Sequence, residues 1–227
     1  MATHISCASI VANPHTVPSL TRRAKRSAMS FPTKDGFHSR AARKDTFHTL
    51  SLIEPHLRPG DTVLEVGCSN GYLAWELARR HRGPVLAVDI VDCRKRPTPH
   101  FALYDGIHLP FDDASCDVVN LSFTLHHVPN ETKPSVIAEV RRVVRRIVIV
   151  TEDTPRNAID RYFNQRHGEE FRRSIGSTAG FGFYSQAEWE MFFPAHGLAV
   201  KQATRIGRFA RDWQQPFART CFVLEKL

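Results

Sequence analysis

The residues of this 227-residue chain whose types and spacing could do chemistry lie in a few short stretches. Val63-Leu-Glu-Val-Gly-Cys-Ser-Asn-Gly-Tyr-Leu-Ala-Trp-Glu-Leu-Ala78 joins an apolar run to a turn of small residues and then to a helical pattern. Such a turn exposes backbone N–H groups at a helix N-terminus, which suits a nucleotide-like ligand. Glu65, Gly67, Ser69 and Gly71 are its candidate binding residues. Asp89, followed by Ile90, closes a second apolar run about 20 residues on, where an acid can accept hydrogen bonds from ribose hydroxyls. Asp105 and Gly106 follow a third run. His126 and His127 stand just past a fourth, and histidine titrates near neutrality, as a proton acceptor must. Glu152 and Asp153 follow a fifth run, and His167 precedes a stretch rich in glycine and aromatic residues.

The spacing narrows the ligand. A dinucleotide turn needs G-x-G-x-x-G, and the corresponding positions here are Gly67, Ser69 and Tyr72. A phosphate loop needs Gly-Lys-Ser/Thr, which is absent. What remains, Glu65-x-Gly67-x-x-x-Gly71, resembles motif I of the class I S-adenosylmethionine-dependent methyltransferases, with Ser69 in place of the middle glycine. The resemblance spans roughly residues 45 to 155. It implies that Gly67 to Gly71 wrap the methionine part of S-adenosylmethionine and that Glu65 orients its ammonium group. By the same resemblance Asp89 holds the ribose, with Ile90 beside it. Asp105, with Gly106, reaches the adenine amino group, and the Leu109-Pro-Phe111 turn leads into the fourth strand.

On the acceptor side the resemblance implies only Leu125-His-His-Val128, where either histidine is a general base or packs structurally under the cofactor. His167 is a third candidate base or a solvated helix-end residue. Glu152 and Asp153 hold an acceptor or a base, or cap the next helix. Phe181, Phe183 and Tyr184, set among Gly176, Gly180 and Gly182, suit a lid over a small aromatic substrate or an ordinary loop anchor. Phe31, Phe37 and His38 could add an N-terminal flap. Asn120-Leu-Ser-Phe-Thr124 lacks the Asn/Asp-Pro-Pro-Tyr of amino-group methylation and the Pro-Cys of carbon-5 pyrimidine methylation. No acidic cluster for a catalytic metal is visible. These features favour methyl transfer to a small acceptor over an RNA methyltransferase, and both over a non-catalytic S-adenosylmethionine-binding protein.

The elements that must position these residues read as follows. Helices are expected over 41–57, 72–81, 132–144, 157–173 and 186–196, the last with Ser185 and Glu188 as a capping box. Strands are expected at 63–66, 85–89, 100–104, 117–121, 146–151, 198–206 and 219–225. The alternation predicts a Rossmann-like α/β fold: an open, mostly parallel seven-stranded sheet, helices on both faces and an antiparallel last strand. A single domain is expected over 31–227, with 154–185 inserted over the acceptor pocket.

Charge is +8 overall, but Arg22, Arg23, Lys25 and Arg26 precede Met29, and no acid precedes Asp35. Half of the excess therefore belongs to a tail over 1–30 that reads as disordered. The tail is acid-poor and rich in Arg and Ser, so it reads as a transit peptide, as an extension upstream of a start at Met29, or as a plain basic tail. Arg141, Arg142, Arg145 and Arg146 form the second basic run. Five cysteines without a C-x-x-C pair argue against disulfides or zinc and for a reducing compartment. No apolar run approaches the ~20 residues of a membrane span. The expectation is a cytoplasmic or organellar protein with no membrane partner.

Overall fold

The computed structural model describes residues 46–98, 100–175, 182–207 and 217–227. The expected tail, Phe31, Phe37, His38, Phe181, Gly176 and Gly180 lie outside them. Seven strands form one sheet: β1 (Val63–Val66), β2 (Val85–Asp89), β3 (Phe101–Leu103), β4 (Cys116–Ser122), β5 (Val144–Asp153), β6 (Leu198–Ile206) and β7 (Arg219–Lys226). Their order is β3-β2-β1-β4-β5-β7-β6. The pairs from β3 to β5 are parallel, and β7 runs antiparallel to both β5 and β6.

Strand side chains alternate between faces, and each face has its own core. Leu64, Val66, Leu86, Val88, Val119, Leu121, Val148 and Val150 face one way. They meet Val136, Ile137 and Val140 of α3 (Lys133–Val143) and Trp189 and Phe193 of α5 (Gln186–Ala195). Val63, Val85, Ala87, Val118, Ile147 and Ile149 face the other way. They meet Leu50 and Ile53 of α1 (46–53) and Leu73, Ala74 and Leu77 of α2 (Tyr72–Arg80). Because both faces are covered, the central strands are continuous apolar runs rather than alternating ones. The remaining α-helix of the described residues, α4 (Ala158–Ile175), follows β5.

The expected elements are present with ends moved by a few residues. β5 is longer than expected at both ends: β4 and β7 pair with it from Val144 through Asp153, so Glu152 and Asp153 belong to the strand. The capping box of α5 is formed: Ser185 Oγ accepts from the Glu188 amide at 3.3 Å, and Glu188 accepts from the Ser185 amide at 2.6 Å. Among the described residues no helix is long and apolar enough to cross a membrane.

Candidate active site

The carboxyl ends of β1, β2 and β4, where the strand order reverses, form the crevice in which open α/β sheets bind ligands. The turn from β1 to α2 is held by its own backbone. Gly67 N–H and Cys68 N–H donate to Val88 O at 2.9 and 3.1 Å, and Gly71 N–H donates to Cys68 O at 2.8 Å. Gly67 and Gly71 have φ of 78° and 74°, and Ser69 has φ of 48°. A side chain on Gly67 would collide with Thr124, and one on Gly71 with Thr98 Oγ1. Glycine is thus required twice over, for conformation and for room. Ser69 accepts the left-handed conformation that the middle glycine otherwise supplies.

Asp89 ties the end of β2 to this turn. Its Oδ2 accepts from Ser69 N–H at 2.7 Å and its Oδ1 from Ile90 N–H at 2.7 Å. Oδ1 also accepts from Val91 N–H at 3.3 Å, so Oδ2 is the oxygen that keeps a lone pair for a further donor. Ile90 beside it is 61% exposed, and a side chain on Gly106 would reach only ordinary-to-tight contact with it. Asp105 is exposed and engaged locally. It accepts from the Ile107 and His108 amides and from His108 Nδ1 at 2.7 Å. Partial burial opposes ionisation, but these donors outweigh it and hold the carboxyl below its usual range.

Glu65 lies on the α2 face of β1, buried beneath the turn. The Ala74 amide in the first turn of α2 donates to it, while its Oε2 has no hydrogen-bond partner. Burial pushes its pKa up to about 8; the Ala74 amide opposes the shift and Asp89 adds to it. A buried carboxyl with one oxygen unpartnered beneath a glycine turn fits a cationic group.

The acceptor side is built from β4, β5 and the segment after α4. Leu125–His127 forms one 3-10 turn, with His126 buried and His127 half-buried. Glu152, fully buried at the end of β5, organises that turn. Its Oε1 accepts from the Thr124 and Leu125 amides at 3.0 and 2.7 Å, and its Oε2 lies 2.5 Å from His126 Nδ1. Burial alone would lower the imidazole pKa; the Glu152 charge and hydrogen bond, with Asp153, reverse this and raise it, against Arg219. Phe183 stacks on His126 with ring centroids 4.9 Å apart, and Gly182 N–H donates to His126 O at 3.0 Å. Phe183, a candidate for a lid or for a loop anchor, is a buried wall at 5% exposure. His167 sits on α4, away from this turn in sequence, and its side chain lies outside the described residues.

Three residues of this region escape a reading of the sequence. Lys133 is buried at the start of α3; its Nζ donates to Val128 O and Asn130 Oδ1 at 2.8 and 2.6 Å and lies over the Tyr184 ring. Burial lowers its pKa to about 8. Arg219 pairs with Asp153 at 2.7 Å, both buried, and covers the Phe123 ring. Thr124 donates to Val66 O at 3.0 Å and fills the space against Gly67. A lysine in the first turn of a helix and an arginine opening a strand look like solvated charges, and only long-range pairing reveals otherwise.

Residues 63–146 match the family model described as a methyltransferase domain. The 2-phytyl-1,4-naphtoquinone methyltransferase of Trichormus variabilis is 31% identical over 125 residues, covering 48% of this chain and 54% of that protein. The ubiquinone/menaquinone biosynthesis C-methyltransferase of Cupriavidus pinatubonensis is 30% identical over 134 residues, with the same two shares. The chain thus spans about half the length of the curated relatives it matches. The solved magnesium protoporphyrin IX methyltransferase of Synechocystis PCC 6803, with bound SAH, shares the fold with a TM-score of 0.59. It is 16% identical, and the likeness covers 83% of this chain and 85% of that one. Residues 63–146 are thus similar to a methyltransferase domain, and the sheet order and glycine turn are of the kind expected from the resemblance to the class I S-adenosylmethionine-dependent methyltransferases.

Proposed function

We propose that this chain transfers a methyl group from S-adenosylmethionine to a small aromatic acceptor with an ionisable hydroxyl, of the quinol type. The observation that carries the cofactor half is Glu65, whose buried, unpartnered Oε2 lies beneath a turn with Gly67, Ser69 and Gly71 all at positive φ. Glu65 would take the ammonium end, Gly67, Ser69 and Gly71 the backbone approach, and Asp89 the ribose. Ile90, Asp105 and Gly106 would take the adenine. When bound, the cofactor supplies an electrophilic methyl on a sulfonium, itself a good leaving group.

The chain's own residues have the remaining tasks of aligning the acceptor, excluding water and taking a proton. His126 is the base that the geometry favours, because Glu152 fixes its Nδ1 and Phe183 shields its ring from solvent. The proton leaves the acceptor hydroxyl for the ring Nε2, and Glu152 stabilises the imidazolium formed. His127, half-buried against His126 with centroids 4.1 Å apart, is the alternative that faces more solvent. Residues 154–185, with α4, would border the acceptor mouth within a single domain over 31–227. The quinol class rests on the two quinone-named relatives and on the aromatic wall at Phe183.

Three of the four arginines in the basic run that favours an RNA acceptor are engaged within the fold. Arg142 binds Glu139 at 2.8 Å and Asp113 at 2.9 Å, Arg145 binds Asp117 at 2.5 Å, and Arg146 binds Asp61. The test is calorimetric titration of the chain with S-adenosylmethionine and S-adenosylhomocysteine, followed by labelled-methyl transfer to a panel of quinols, phenols and RNA. Micromolar binding and labelled quinol support the reading. Absence of binding overturns the cofactor site, and labelled RNA alone overturns the acceptor class.

A further inference from the structure

The first turns of α4 reverse the order expected of a surface helix. The buried line is polar and small: Asp160 at 4% exposure, Asn164 at 2%, then Gly168. The outward face carries Ile159 at 63%, Tyr162 at 58% and Phe163 at 49% exposure. Spacings of three and four residues place these three side chains together, and the Tyr162 and Phe163 rings meet edge to face at 5.6 Å. Leaving such a cluster in water costs about 25 cal/mol per Å² of apolar surface, so a contiguous exposed patch marks a contact surface. Arg156, just before the helix, pairs through Nε with Asp160 at 3.2 Å while its side chain stays 52% exposed, and Arg166, one turn beyond Tyr162, is exposed on the same side.

We infer that this face of α4 docks on an anionic lipid surface. Ile159, Tyr162 and Phe163 enter the boundary between headgroups and acyl chains, and Arg156 and Arg166 reach lipid phosphates. An interfacial helix of this kind lies in the membrane plane, so it needs no apolar run of spanning length. A second copy of the chain fits the patch less well. A two-fold contact sets each patch, arginines included, against its own counterpart. Three side chains also fall well short of the ~800 Å² per partner that a stable interface buries.

Position adds a reason for lipid. Arg161 of α4 donates from Nη1 to Phe183 O at 2.9 Å, and Phe183 stacks on His126. The inner side of the docking helix therefore borders the candidate acceptor site. An apolar acceptor carried in a bilayer would reach that site without crossing bulk water. The inference goes beyond the proposed activity and is read without cofactor or acceptor.

The test is vesicle co-sedimentation of the full chain with phosphatidylcholine alone and with added phosphatidylglycerol. Wild type is compared with the triple variant Ile159→Ser, Tyr162→Ser, Phe163→Ser. The basic cluster Arg22 to Arg26 can bind anionic vesicles by charge alone, so the comparison is repeated at raised salt, which screens that contribution. An unchanged melting temperature shows that the variant is folded, since the three side chains are exposed. The expected result is binding to the anionic vesicles and at least an about tenfold weaker partition of the triple variant. Equal partition of both proteins, or no binding by wild type, overturns the inference. A concentration-dependent dimer that the triple variant abolishes overturns it in favour of a second copy.

Discussion

Glu152 and His126 sit side by side at the ends of β5 and β4, with Oε2 and Nδ1 2.5 Å apart in a site closed by Phe183. The carboxylate does two things at once. It satisfies the Thr124 and Leu125 amides, which builds the turn, and it favours the imidazolium form of the histidine that the turn presents. As the proposed base, His126 would become active only above its own raised pKa.

Glu152→Gln separates those effects. Removing the charge leaves burial, the influence that lowers the imidazole pKa, so the rise of kcat with pH should move to lower pH. The plateau should fall by about 10²-fold, the low end of what a positioned base supplies. The stabilisation that protonated His126 lends to the fold is present below the ordinary histidine pKa and lost as pH rises through the raised one. The variant should therefore lose most stability at acid pH. A pH–rate profile with an unmoved inflection would return His126 to a packing role, and the same profile for His127→Ala would then show whether the neighbour is the base.

Asp89→Ala should weaken S-adenosylmethionine binding by about tenfold to a hundredfold, the loss of one or two hydrogen bonds to a charged group. Because Asp89 also receives the Ser69 amide, the loss should be partly a misplaced turn. Calorimetry with the cofactor and with adenosine separates the two: an equal loss for both assigns the effect to the ribose contact.

Glu65→Gln should reveal opposing demands on one side chain. The folded carboxyl titrates near 8 against an ordinary value of 4.5, so the fold binds a proton that the unfolded chain has released. Stability then falls as pH rises from about 4.5 to about 8, by ~1.4 kcal/mol for each pH unit crossed. The amide variant, uncharged at every pH, should melt higher than wild type at pH 8 and bind cofactor at least tenfold more weakly. Denaturant unfolding at pH 6 and pH 8.5 checks the first claim, and titration checks the second.

Gly182→Ala should disturb the wall over His126. The added methyl would collide with Asn130 Oδ1 and Lys133 Nζ, which are bonded to each other. Overpacking of this kind costs about 1–3 kcal/mol. The melting temperature should drop by several degrees, and cofactor affinity, set on the other side of the crevice, should stay within about twofold. Loss of cofactor binding would mean that the two halves of the site are more tightly joined than the hydrogen bonds indicate.

The sheet was legible in the sequence because burial on both faces leaves strands such as Val85-Leu-Ala-Val88 as unbroken apolar runs between polar turns. The glycine turn was legible for a related reason: Gly67 and Gly71 meet local backbone needs at fixed spacing, and Asp89 receives the amide of the turn's Ser69. The acceptor half was legible only as a set of candidates. The pairing of Glu152 with His126 joins residues 26 apart through adjacent parallel strands, and Phe183 reaches the same ring from beyond α4. Glu152 and Asp153 looked like the start of a loop because charged residues seldom end a buried strand. Here Glu152, Asp153 and Thr154 find partners in the 124–126 turn, Arg219 and Thr220.

The unpartnered oxygen of Glu65 would also make the proposed cofactor pocket a proton exchanger. Near neutral pH the carboxyl enters the encounter largely protonated, and an incoming ammonium favours its ionised form, so complex formation should expel a proton into the medium. The heat of binding would then track the ionisation enthalpy of the buffer, large in Tris and small in phosphate. Affinity would rise toward alkaline pH until Glu65 is already ionised in the free protein.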